Sequence, residues 1–581
     1  MSRGRSTAQA ARTVPAVPPA PSARSLYAQY GLLLAILLVA GVLRIAALTR
    51  TPPGLHQDEA VNAWNAWCLL KTGHDQVGAG WPFFYFRALG ENRSPVFLYA
   101  VLPFQILGGM NVWTNRLPAA VGGLVTILLL YWIADRLFNR STALVAAALL
   151  TLAPWHVQLS RFGHDAALGP LLACLAFASL LWAGFPLGSE TARPSVWKGL
   201  VAGLVIGMCC YGYPAVRLFI PIFLVACVLV TCRAWWRWLR QGGAPLAAAG
   251  LVIGVGVTFG PLLYCHVTHP EIIGKRGEST ALWPKQAPLR TKAAAVAERY
   301  VVHFDPAFLF IYGNHEDLHS MPHFGEYQWY TLPLLLIGLV VSLAHVVKSH
   351  AARLALCWVL LYPAGDCLHR HLYRGPDGLW HQEGNPLRSA PGLCGPILLA
   401  AVGGAAAGRA LWRKNHATAT AVFAVFGLAA AGLDGRCLWH YFQEHRTRPT
   451  VYEGFQAGLF EAYQWLRPRL DATDAVWISA SGTNTPWVVA LVALGYDPQQ
   501  WFRDEREIRE INGWDTYTRI GKLHFVYDER SAAWLKELRD NGRIERVVFI
   551  VPPSQARQVP PEYTVREPNG APEWLIYTAE Q

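Results

Sequence analysis

Charged residues are scarce in this sequence. They make up 15% of its 581 residues, and hydrophobic residues make up 53%. A soluble protein carries roughly a quarter charged residues, so the deficit argues against one large soluble enzyme, a disordered chain or a fibrous repeat. The formal net charge of +12 does not indicate nucleic-acid binding, because Lys and Arg form short clusters between apolar runs. This pattern is typical of a polytopic membrane protein.

Several motifs that would indicate soluble or metal-dependent chemistry are missing from the sequence. It contains no CxxC pair, no Gly-rich nucleotide fingerprint and no nucleophile elbow, and nearly all of its 11 Cys lie in apolar runs. His315, His319 and His323 have helical spacing, but Pro322 interrupts them and no acid is obviously placed with them. We therefore predict no metal site and no cofactor, and the sequence leaves open whether a divalent ion assists.

Apolar runs predict a mainly α polytopic membrane protein with about 11 transmembrane helices. The runs lie near 30–48, 112–134, 142–158, 166–184, 197–212, 216–232, 245–266, 329–347, 354–368, 389–408 and 417–433. A further run, Pro95 to Gly108, has only 14 residues and two prolines, so we predict an interfacial or re-entrant segment there.

The charge of the connecting loops predicts the orientation. If the amino terminus is cytoplasmic and 95–108 does not span, every basic loop faces the cytoplasm, as the positive-inside rule requires. These loops contain Arg136 and Arg140, Arg193 and Lys198, the Arg233–Arg240 cluster, Lys348 and Arg353, and Arg409, Arg413 and Lys414. Because no Cys follows Cys437, we predict a bacterial inner membrane protein with a periplasmic or extracellular carboxyl-terminal part.

The predicted organisation has three parts. Residues 1–26 form a disordered basic cytoplasmic arm, and 27–439 form the transmembrane domain with outer loops 49–111 and 267–328. Residues 440–581 are charged and alternate between strand and helix patterns, which predicts a soluble α/β domain on the outer face. Predicted strands are Ala475–Ala480, Lys522–Tyr527, Arg546–Val551 and Trp574–Tyr577, and predicted helices are Pro486–Leu494 and Ser531–Asp540.

The first outer loop contains an acid pair, Asp58 and Glu59, at the start of a predicted amphipathic helix. Asn62 and Asn65 share a face with Asp58, and Trp64 lies on another face that we expect to contact lipid. Taken alone, Asp58 and Glu59 fit either an N-cap and a first-turn acid, or a general base for a hydroxyl or amine.

The second outer turn has a similar arrangement, with Arg161, His164 and Asp165 leading into a membrane helix. Asp165 is either an N-cap or a second functional acid, and Arg161 is either a functional cation or an interfacial side chain. Arg116, at the outer end of an earlier helix, either pairs with Asp58 or Asp165 or extends to the membrane interface.

Outward-facing cations indicate an anionic ligand. Arg217 follows Tyr211 and Tyr213 at the third outer turn, where an arginine is unexpected under the positive-inside rule. A lipid phosphate is the natural partner for such cations. Lys275 and Arg276 in the long loop and Arg388 before the tenth run complete the predicted phosphate-binding set.

Taken together, these segments resemble the GT-C glycosyltransferases, most closely the branch with protein O-mannosyltransferases and bacterial aminoarabinose lipid A transferases. The resemblance covers roughly residues 30–400. It rests on the acid pair, Arg93-Ser-Pro95, Asn115-Arg-Leu-Pro118, Ser160-Arg161 with Asp165, the Tyr211–Arg217 stretch and Leu387-Arg388.

The resemblance implies a GT-C-like fold and a polyprenyl-phosphate-linked sugar as donor. It further implies inversion at the anomeric carbon, with Asp58 as general base, Glu59 as second acid, and Asp165 and Arg161 as the second-loop pair. The sequence departs from the mannosyltransferases at Arg93-Ser-Pro, where they favour His-Pro-Pro, so the acceptor stays open between protein, lipid and glycan.

The sequence therefore predicts a membrane glycosyltransferase that binds membrane lipid but no nucleic acid. Its predicted substrate contacts are Asn62, His164, Tyr211 and Tyr213. Two other classes remain as alternatives: a transporter of lipid-linked sugar or polysaccharide, and a non-catalytic envelope protein. The transporter is less favoured because the sequence has no convincing internal repeat and its acids lie in loops and helix starts.

Overall fold

The fold is described from a computed structural model that covers nearly the whole chain. The described residues are 23–188, 193–270, 281–283, 286–321, 323–374, 377–480, 482–483, 485–511, 514–527 and 545–580. Lys275, Arg276 and the predicted helix Ser531–Asp540 lie outside them, as do residues 1–22 of the predicted arm.

Most of the described chain is α-helical. The α-helices are Ala23–Ile45, Gln57–Thr72, Pro95–Gly108, Val112–Leu137, Arg140–Leu152, Pro154–Leu159, Gly169–Trp182, Val196–Cys209, Pro214–Val230, Cys232–Leu239, Ala244–Thr268, Leu289–Val302, Pro306–Phe310, Thr331–His345, His350–Leu361, Pro386–Ser389, Cys394–Lys414, His416–Trp439, Pro449–Gly454, Ala457–Leu466, Pro486–Leu494 and Pro498–Arg503. Short 3₁₀ segments are Asp165–Leu168, Tyr362–Gly365, Ala390–Gly392, His445–Thr447, Arg467–Ala472 and Pro553–Gln555, and His440–Glu444 is a π-helix.

Every predicted apolar run contains a helix, although the boundaries differ. The run 142–158 is divided at Ala153, because Pro154 starts a separate short helix after Arg140–Leu152.

Five helices among the described residues are long and apolar enough to cross a membrane: Val112–Leu137, Asp165–Trp182, Ala244–Thr268, Cys394–Lys414 and His416–Thr447. Pro214–Val230 and Cys232–Leu239 form a sixth candidate with a 76° bend, and several shorter apolar helices accompany them. The protein is thus a polytopic membrane protein.

Glycines allow two of the membrane helices to pack backbone against backbone. Val196–Cys209 and Ala244–Thr268 make the most extensive helix–helix contact in the described chain. A Cβ added at Gly203 would lie 2.2 Å from the Leu251 carbonyl oxygen, and one at Gly254 would lie 2.4 Å from that of Leu200. Small residues at such spacing permit the close helix packing that is common in membranes.

The chain after residue 470 contributes a seven-stranded mixed sheet. Its strands are β5 (Ala475–Ser479), β6 (Arg506–Ile511), β7 (Trp514–Ile520), β8 (Leu523–Val526), β9 (Arg546–Val551), β10 (Tyr563–Arg566) and β11 (Pro572–Glu580). Their spatial order is β10-β11-β9-β5-β8-β7-β6. The central strand β5 is parallel to β8 and β9, and the other pairs are antiparallel. The predicted strands and the predicted helix Pro486–Leu494 are confirmed.

Two small hairpins lie earlier in the chain: β1 (Phe86–Ala88) with β2 (Glu91–Arg93), and β3 (Leu372–Arg374) with β4 (Trp380–Gln382).

The helix Gln57–Thr72 is covered by the carboxyl-terminal part of the chain. Trp64 is fully buried, and its ring contacts Tyr496 and Trp501 at centroid distances of 6.4 and 5.6 Å. The Trp501 indole N–H also donates to the Gln76 carbonyl (2.9 Å). The prediction that Trp64 faces lipid is therefore wrong, because this face of the helix packs against protein more than 400 residues away in sequence.

Close backbone contacts hold the loop before this helix against the carboxyl-terminal part of the chain. Gly54 has a φ of +52°, and a Cβ there would lie 2.5 Å from both Ala457 Cα and the Phe455 carbonyl oxygen. The adjacent Leu55 N–H donates to that same Phe455 carbonyl (2.7 Å). Only glycine satisfies both the backbone conformation and the close approach. The first outer loop and the carboxyl-terminal part are consequently on the same side of the membrane helices.

Candidate active site

The helix that carries the acid pair begins with a capping box. His56 is the N-cap: its Nδ1 accepts from the Asp58 backbone N–H (3.2 Å), and the Glu59 carboxylate accepts from the His56 N–H (3.1 Å). The reciprocal pair satisfies two of the free backbone donors at the helix start. Asp58 is therefore not the N-cap, and its carboxylate is available for other contacts.

Glu59 is fully committed to structural contacts. Its two carboxylate oxygens accept from Arg116 Nε and Nη2, each at 2.8 Å, and both side chains are fully buried. The Gly163 N–H donates to the same carboxylate (2.8 Å), and a Cβ at Gly163 would lie only 3.1 Å from it. Burial by itself would raise the pKa of Glu59, but Arg116 and these N–H donors bring it below the usual value.

Arg116 uses every donor of its guanidinium. Besides Glu59, it donates to the carbonyls of Leu48 (2.9 Å), Pro52 (2.8 Å) and Gly54 (3.0 Å). Five N–H groups thus have five acceptors. Both alternatives predicted for Arg116 are wrong: it neither pairs with Asp58 or Asp165 nor extends to the interface, since it is fully buried, binds Glu59 and fixes the loop before it.

Asp58 lies beside Glu59 in sequence but in a more open place. Its side chain is 17% exposed, and its Oδ1 is 2.7 Å from Arg93 Nη2. His164 Nε2 is 3.4 Å from Oδ2 and His56 Nδ1 is 3.6 Å from it. Burial favours a raised pKa for Asp58, yet the Arg93 charge and the His164 hydrogen bond hold that pKa well below its usual value. Asp58 is therefore a carboxylate anion with one accessible side.

The second outer turn converges on the same place. His164, not Asp165, caps the 3₁₀ segment Asp165–Leu168, because its Nδ1 accepts from the Ala166 N–H (3.0 Å). With Nδ1 as acceptor, the proton of a neutral His164 is on Nε2 and points to Asp58. Asp165 accepts from Asn62 Nδ2 (2.8 Å), and the charge of Asp165 interacts with both Arg93 and Arg217.

Arg161 does not take part in this cluster. It donates to the backbone carbonyls of Leu43 and Thr51, each at 2.8 Å, and lies over the rings of Tyr441 and Phe442. No carboxylate of the described residues lies within ion-pair distance of it. Its geometry is that of a buried structural cation that ties the end of the first helix to the second outer turn.

Arg217 has both a fixed and a free side. Its Nε donates to the Gly212 carbonyl (3.1 Å) and its Nη1 to the Tyr85 hydroxyl (2.8 Å), which in turn contacts His266 Nε2 (2.7 Å). Its Nη2 has no hydrogen-bond partner among the described residues, and no carboxylate there pairs with it. Arg217 therefore presents N–H donors to a ligand.

Arg388 lies near the same region, on the short helix Pro386–Ser389. The Asn385 side chain accepts from its backbone N–H (3.1 Å), while its guanidinium has no hydrogen bond to the described residues. A Cβ at Gly365 would lie 2.4 Å from the Arg388 carbonyl oxygen and 3.1 Å from Ala215 Cβ, so Arg388 is near the start of the helix that carries Arg217. The helix Pro386–Ser389 also contacts the turn Asp165–Leu168.

Tyr211 and Tyr213, the predicted substrate-contact tyrosines, differ in position. Tyr211 is buried between Phe83 and Phe84, and its hydroxyl donates to the Thr258 carbonyl (2.9 Å). Its only polar side-chain atom is thus already used. Tyr213 is half-buried and its ring contacts His164 at a centroid distance of 5.6 Å, at the edge of the acid cluster.

The three spaced histidines have acidic or aromatic partners. His315 Nδ1 lies 2.6 Å from Glu383, and His319 Nδ1 lies 3.0 Å from Glu316. The ring of His323 faces that of His440 at 6.5 Å. Among the described residues, no group of three His, Cys, Asp or Glu side chains is arranged to hold a metal ion.

Sequence reasoning missed two members of the cluster, Arg93 and His56. Arg93 was noted as part of the resemblance and as a departure from a family pattern but not as a site residue, although it pairs with Asp58 at 2.7 Å. Its pKa is raised because Asp58 and Asp165 outweigh the opposing effect of burial. The available signal for Arg93 was its position in the same loop as the acid pair, two residues before a proline.

Part of the chain is similar in sequence to known sugar transferases. Residues 92–261 match the family described as dolichyl-phosphate-mannose-protein mannosyltransferase. Over 195 residues the chain is 27% identical to the undecaprenyl phosphate-alpha-4-amino-4-deoxy-L-arabinose arabinosyl transferase of Pseudomonas aeruginosa. That match covers 32% of this chain and 35% of the relative, so it spans about a third of the relative's length.

The fold is similar to that of ArnT from Cupriavidus metallidurans. The crystal structure bound to undecaprenyl phosphate matches with a TM-score of 0.54 over 96% of this chain and 98% of ArnT, at 14% identity. The apo structure matches with a TM-score of 0.53 over 95% and 98%. The chain has this polytopic membrane fold, and its resemblance to GT-C membrane glycosyltransferases is confirmed.

Proposed function

We propose that this protein is a membrane glycosyltransferase that moves a sugar from a polyprenyl-phosphate donor to an acceptor at the outer face of the membrane. The observation that carries the proposal is the separation of charge in the candidate site. A partly accessible carboxylate, Asp58, lies beside His164 in the second outer turn. The short helix of Arg388 contacts the segment that follows this turn and also the helix of Arg217, and both guanidinium groups have donors without a partner among the described residues. This is the distribution that transfer from a lipid phosphate requires.

The reaction proceeds by one displacement with inversion. An acceptor hydroxyl oxygen forms a bond to the anomeric carbon while the bond from that carbon to the phosphate oxygen breaks, and Asp58 receives the hydroxyl proton. The polyprenyl phosphate leaves with the electron pair, and Arg217 and Arg388 stabilise its added charge. Because the pKa of Asp58 is low, it is a weak base. It therefore takes the proton late, when the attacking oxygen has already become acidic.

The neighbouring groups have supporting roles in this proposal. His164 and Arg93 hold the Asp58 carboxylate, and Asn62 holds Asp165. Glu59, Arg116 and Arg161 shape the loop that presents Asp58. Tyr213 lies where a sugar ring would pass. Lys275 and Arg276 keep their predicted role in phosphate binding, and no cofactor is required for any step.

The proposal includes a topology. The amino terminus is cytoplasmic, about 11 segments span a bacterial inner membrane, and the carboxyl-terminal α/β domain is outside the cytoplasm. The contacts of Trp64 with Tyr496 and Trp501 support the last point, since the first outer loop and the sheet must share one side.

The function is tested by incubating the purified full-length protein with a panel of polyprenyl-phosphate sugars and candidate acceptors. Donor loss is followed by mass spectrometry, and the anomeric configuration of the product by NMR. We expect one donor class to be consumed with inversion, and Asp58→Asn to abolish consumption while Asp377→Asn, an exposed outer-loop acid, does not. An Asp58→Asn protein that folds and retains full transfer would refute the general base. A product with retained configuration would refute the displacement.

A further inference from the structure

A cavity lies between the membrane helices and the carboxyl-terminal part, apart from the Asp58 cluster. It has a volume of about 600 Å³, which suits a small-molecule ligand or a lipid head group. One wall is the loop Thr49–Gly54 and the start of the helix Val112–Leu137, and the opposite wall comes from residues between 446 and 467.

The lining of this cavity is strongly cationic. Arg50, Arg446 and Arg467 line it, and none of their three side chains has a hydrogen bond or ion pair with the described part of the chain. The Nε of Arg446 is buried without an acceptor. A buried donor without a partner destabilises the protein by the cost of its desolvation, so an anionic ligand would recover that energy.

The acidic residues near the cavity do not neutralise the positive charge of these arginines. Glu461 is the single carboxylate among the lining residues, and it accepts from the Tyr563 hydroxyl (2.8 Å). Glu453, Glu567 and Glu573 are not lining residues, although the charges of Glu567 and Glu573 act on Tyr452, which lines the cavity. Burial raises the pKa of Glu573 to about 7, so its carboxyl carries less than a full charge near neutral pH.

The cavity is located at the membrane boundary. Arg50 follows the end of the first helix, and Trp113 is the second residue of a membrane helix, with 44% of its surface exposed. Tryptophan at a helix end is typical of the lipid–water interface. Met110 and Phe460 add apolar surface beside the arginines. Cationic and apolar groups thus meet in one cavity beside this tryptophan, a combination that suits the phosphate of a phospholipid.

We propose that this cavity binds the phosphate head group of a membrane lipid. The three arginines would contact the phosphate, and the acyl chains would leave past Trp113 into the bilayer. The site is separated from the Asp58 cluster by the loop 48–54, whose carbonyls accept from Arg116 on the far side. The proposal does not depend on the transferase activity.

The test measures lipid binding to the full-length protein in mild detergent by native mass spectrometry. The probes are dioleoyl phosphatidic acid, dioleoylglycerol, which lacks the phosphate, and inorganic phosphate as competitor. We expect retention of phosphatidic acid but not of dioleoylglycerol. The double variant Arg446→Gln/Arg467→Gln should bind phosphatidic acid about tenfold more weakly, because it loses two charge-assisted contacts. Arg557→Gln, an exposed arginine outside the cavity, is the matched control and should bind normally.

Three outcomes would overturn the proposal. Unchanged binding in the double variant would show that the lipid lies elsewhere, and equal retention of dioleoylglycerol would show that the phosphate is not recognised. Displacement of the lipid by inorganic phosphate at similar concentrations would identify a site for free phosphate instead. If the double variant fails to fold, Arg50→Gln replaces it. Arg50 is exposed, so we expect this variant to fold and to bind phosphatidic acid about threefold more weakly.

Discussion

Glu59 and Arg116 form a two-point ion pair, with both contacts at 2.8 Å and both side chains fully buried. Adjacent Asp58 is instead partly open and contacts Arg93 and His164. The two acids of the pair therefore have different tasks. Glu59 holds the loop and the helix start together, and Asp58 is the group that can meet a substrate.

This difference predicts that Arg116→Gln destabilises the protein. The substitution leaves the Glu59 carboxylate buried without its partner, and breaking a buried pair in this way typically costs about 3–5 kcal/mol. Arg87→Gln is the matched control, since Arg87 forms an exposed pair with Asp515 (3.1 Å) whose loss should cost less than about 1 kcal/mol. Thermal unfolding of the purified proteins in detergent measures both. Equal midpoints for the two variants would contradict the structural role of Glu59.

The low pKa of Asp58 predicts how transfer depends on pH. A carboxyl whose pKa is depressed below 3.8 stays ionised at every pH above that value, so Asp58 should cause no loss of activity between about pH 8 and pH 5. Arg93→Gln removes the largest charge that lowers this pKa. The acid limb of the kcat/KM profile should then move to higher pH, whereas Arg93→Lys should largely preserve it. A profile that is the same in Arg93→Gln and the wild type would argue against Asp58 as the titrating base.

The proposed phosphate contacts of Arg217 and Arg388 predict that their substitution weakens donor binding. Each guanidinium offers charge-assisted hydrogen bonds to the phosphate of the bound donor and stabilises the charge added as it leaves. Arg217→Gln or Arg388→Gln should therefore raise the KM for the donor about tenfold and also lower kcat. Arg374→Gln is the control, because Arg374 is exposed in the neighbouring loop and its side chain donates, among the described residues, only to the Gly378 carbonyl (3.2 Å). Donor titrations at saturating acceptor measure the effect. A fall in kcat with unchanged KM would contradict ground-state phosphate binding.

The sequence predicted elements that depend on local composition and missed relationships that depend on long-range contacts. The apolar runs contain helices because lipid demands a certain length of apolar chain, whatever the fold. The roles of Asp58 and Glu59 were not separable, since Arg116 and Gly163 lie 57 and 104 residues beyond Glu59. Trp64 was assigned to lipid because the residues that cover it, Tyr496 and Trp501, are remote in sequence.

A last prediction concerns the residues that position Arg388. The Asp366 carboxylate accepts from the Asn385 N–H (3.1 Å), and the Asn385 side chain accepts from the Arg388 N–H (3.1 Å). Asn385→Ala removes this N-cap, which is worth about 1 kcal/mol, and frees the short helix that carries Arg388. We expect a severalfold higher KM for the donor, little change in kcat and an unchanged pH profile.

Rescue distinguishes positioning from a general loss of stability. Serine is also a good N-cap, so Asn385→Ser should restore the KM of the wild type. Asn415→Ala removes a cap of the same kind from the helix His416–Trp439, where the Asn415 side chain accepts from Thr418 (3.0 Å). It should lower stability by a similar amount and leave the KM unchanged. If Asn385→Ala and Asn415→Ala raise the KM equally, Asn385 acts through stability alone and does not position Arg388.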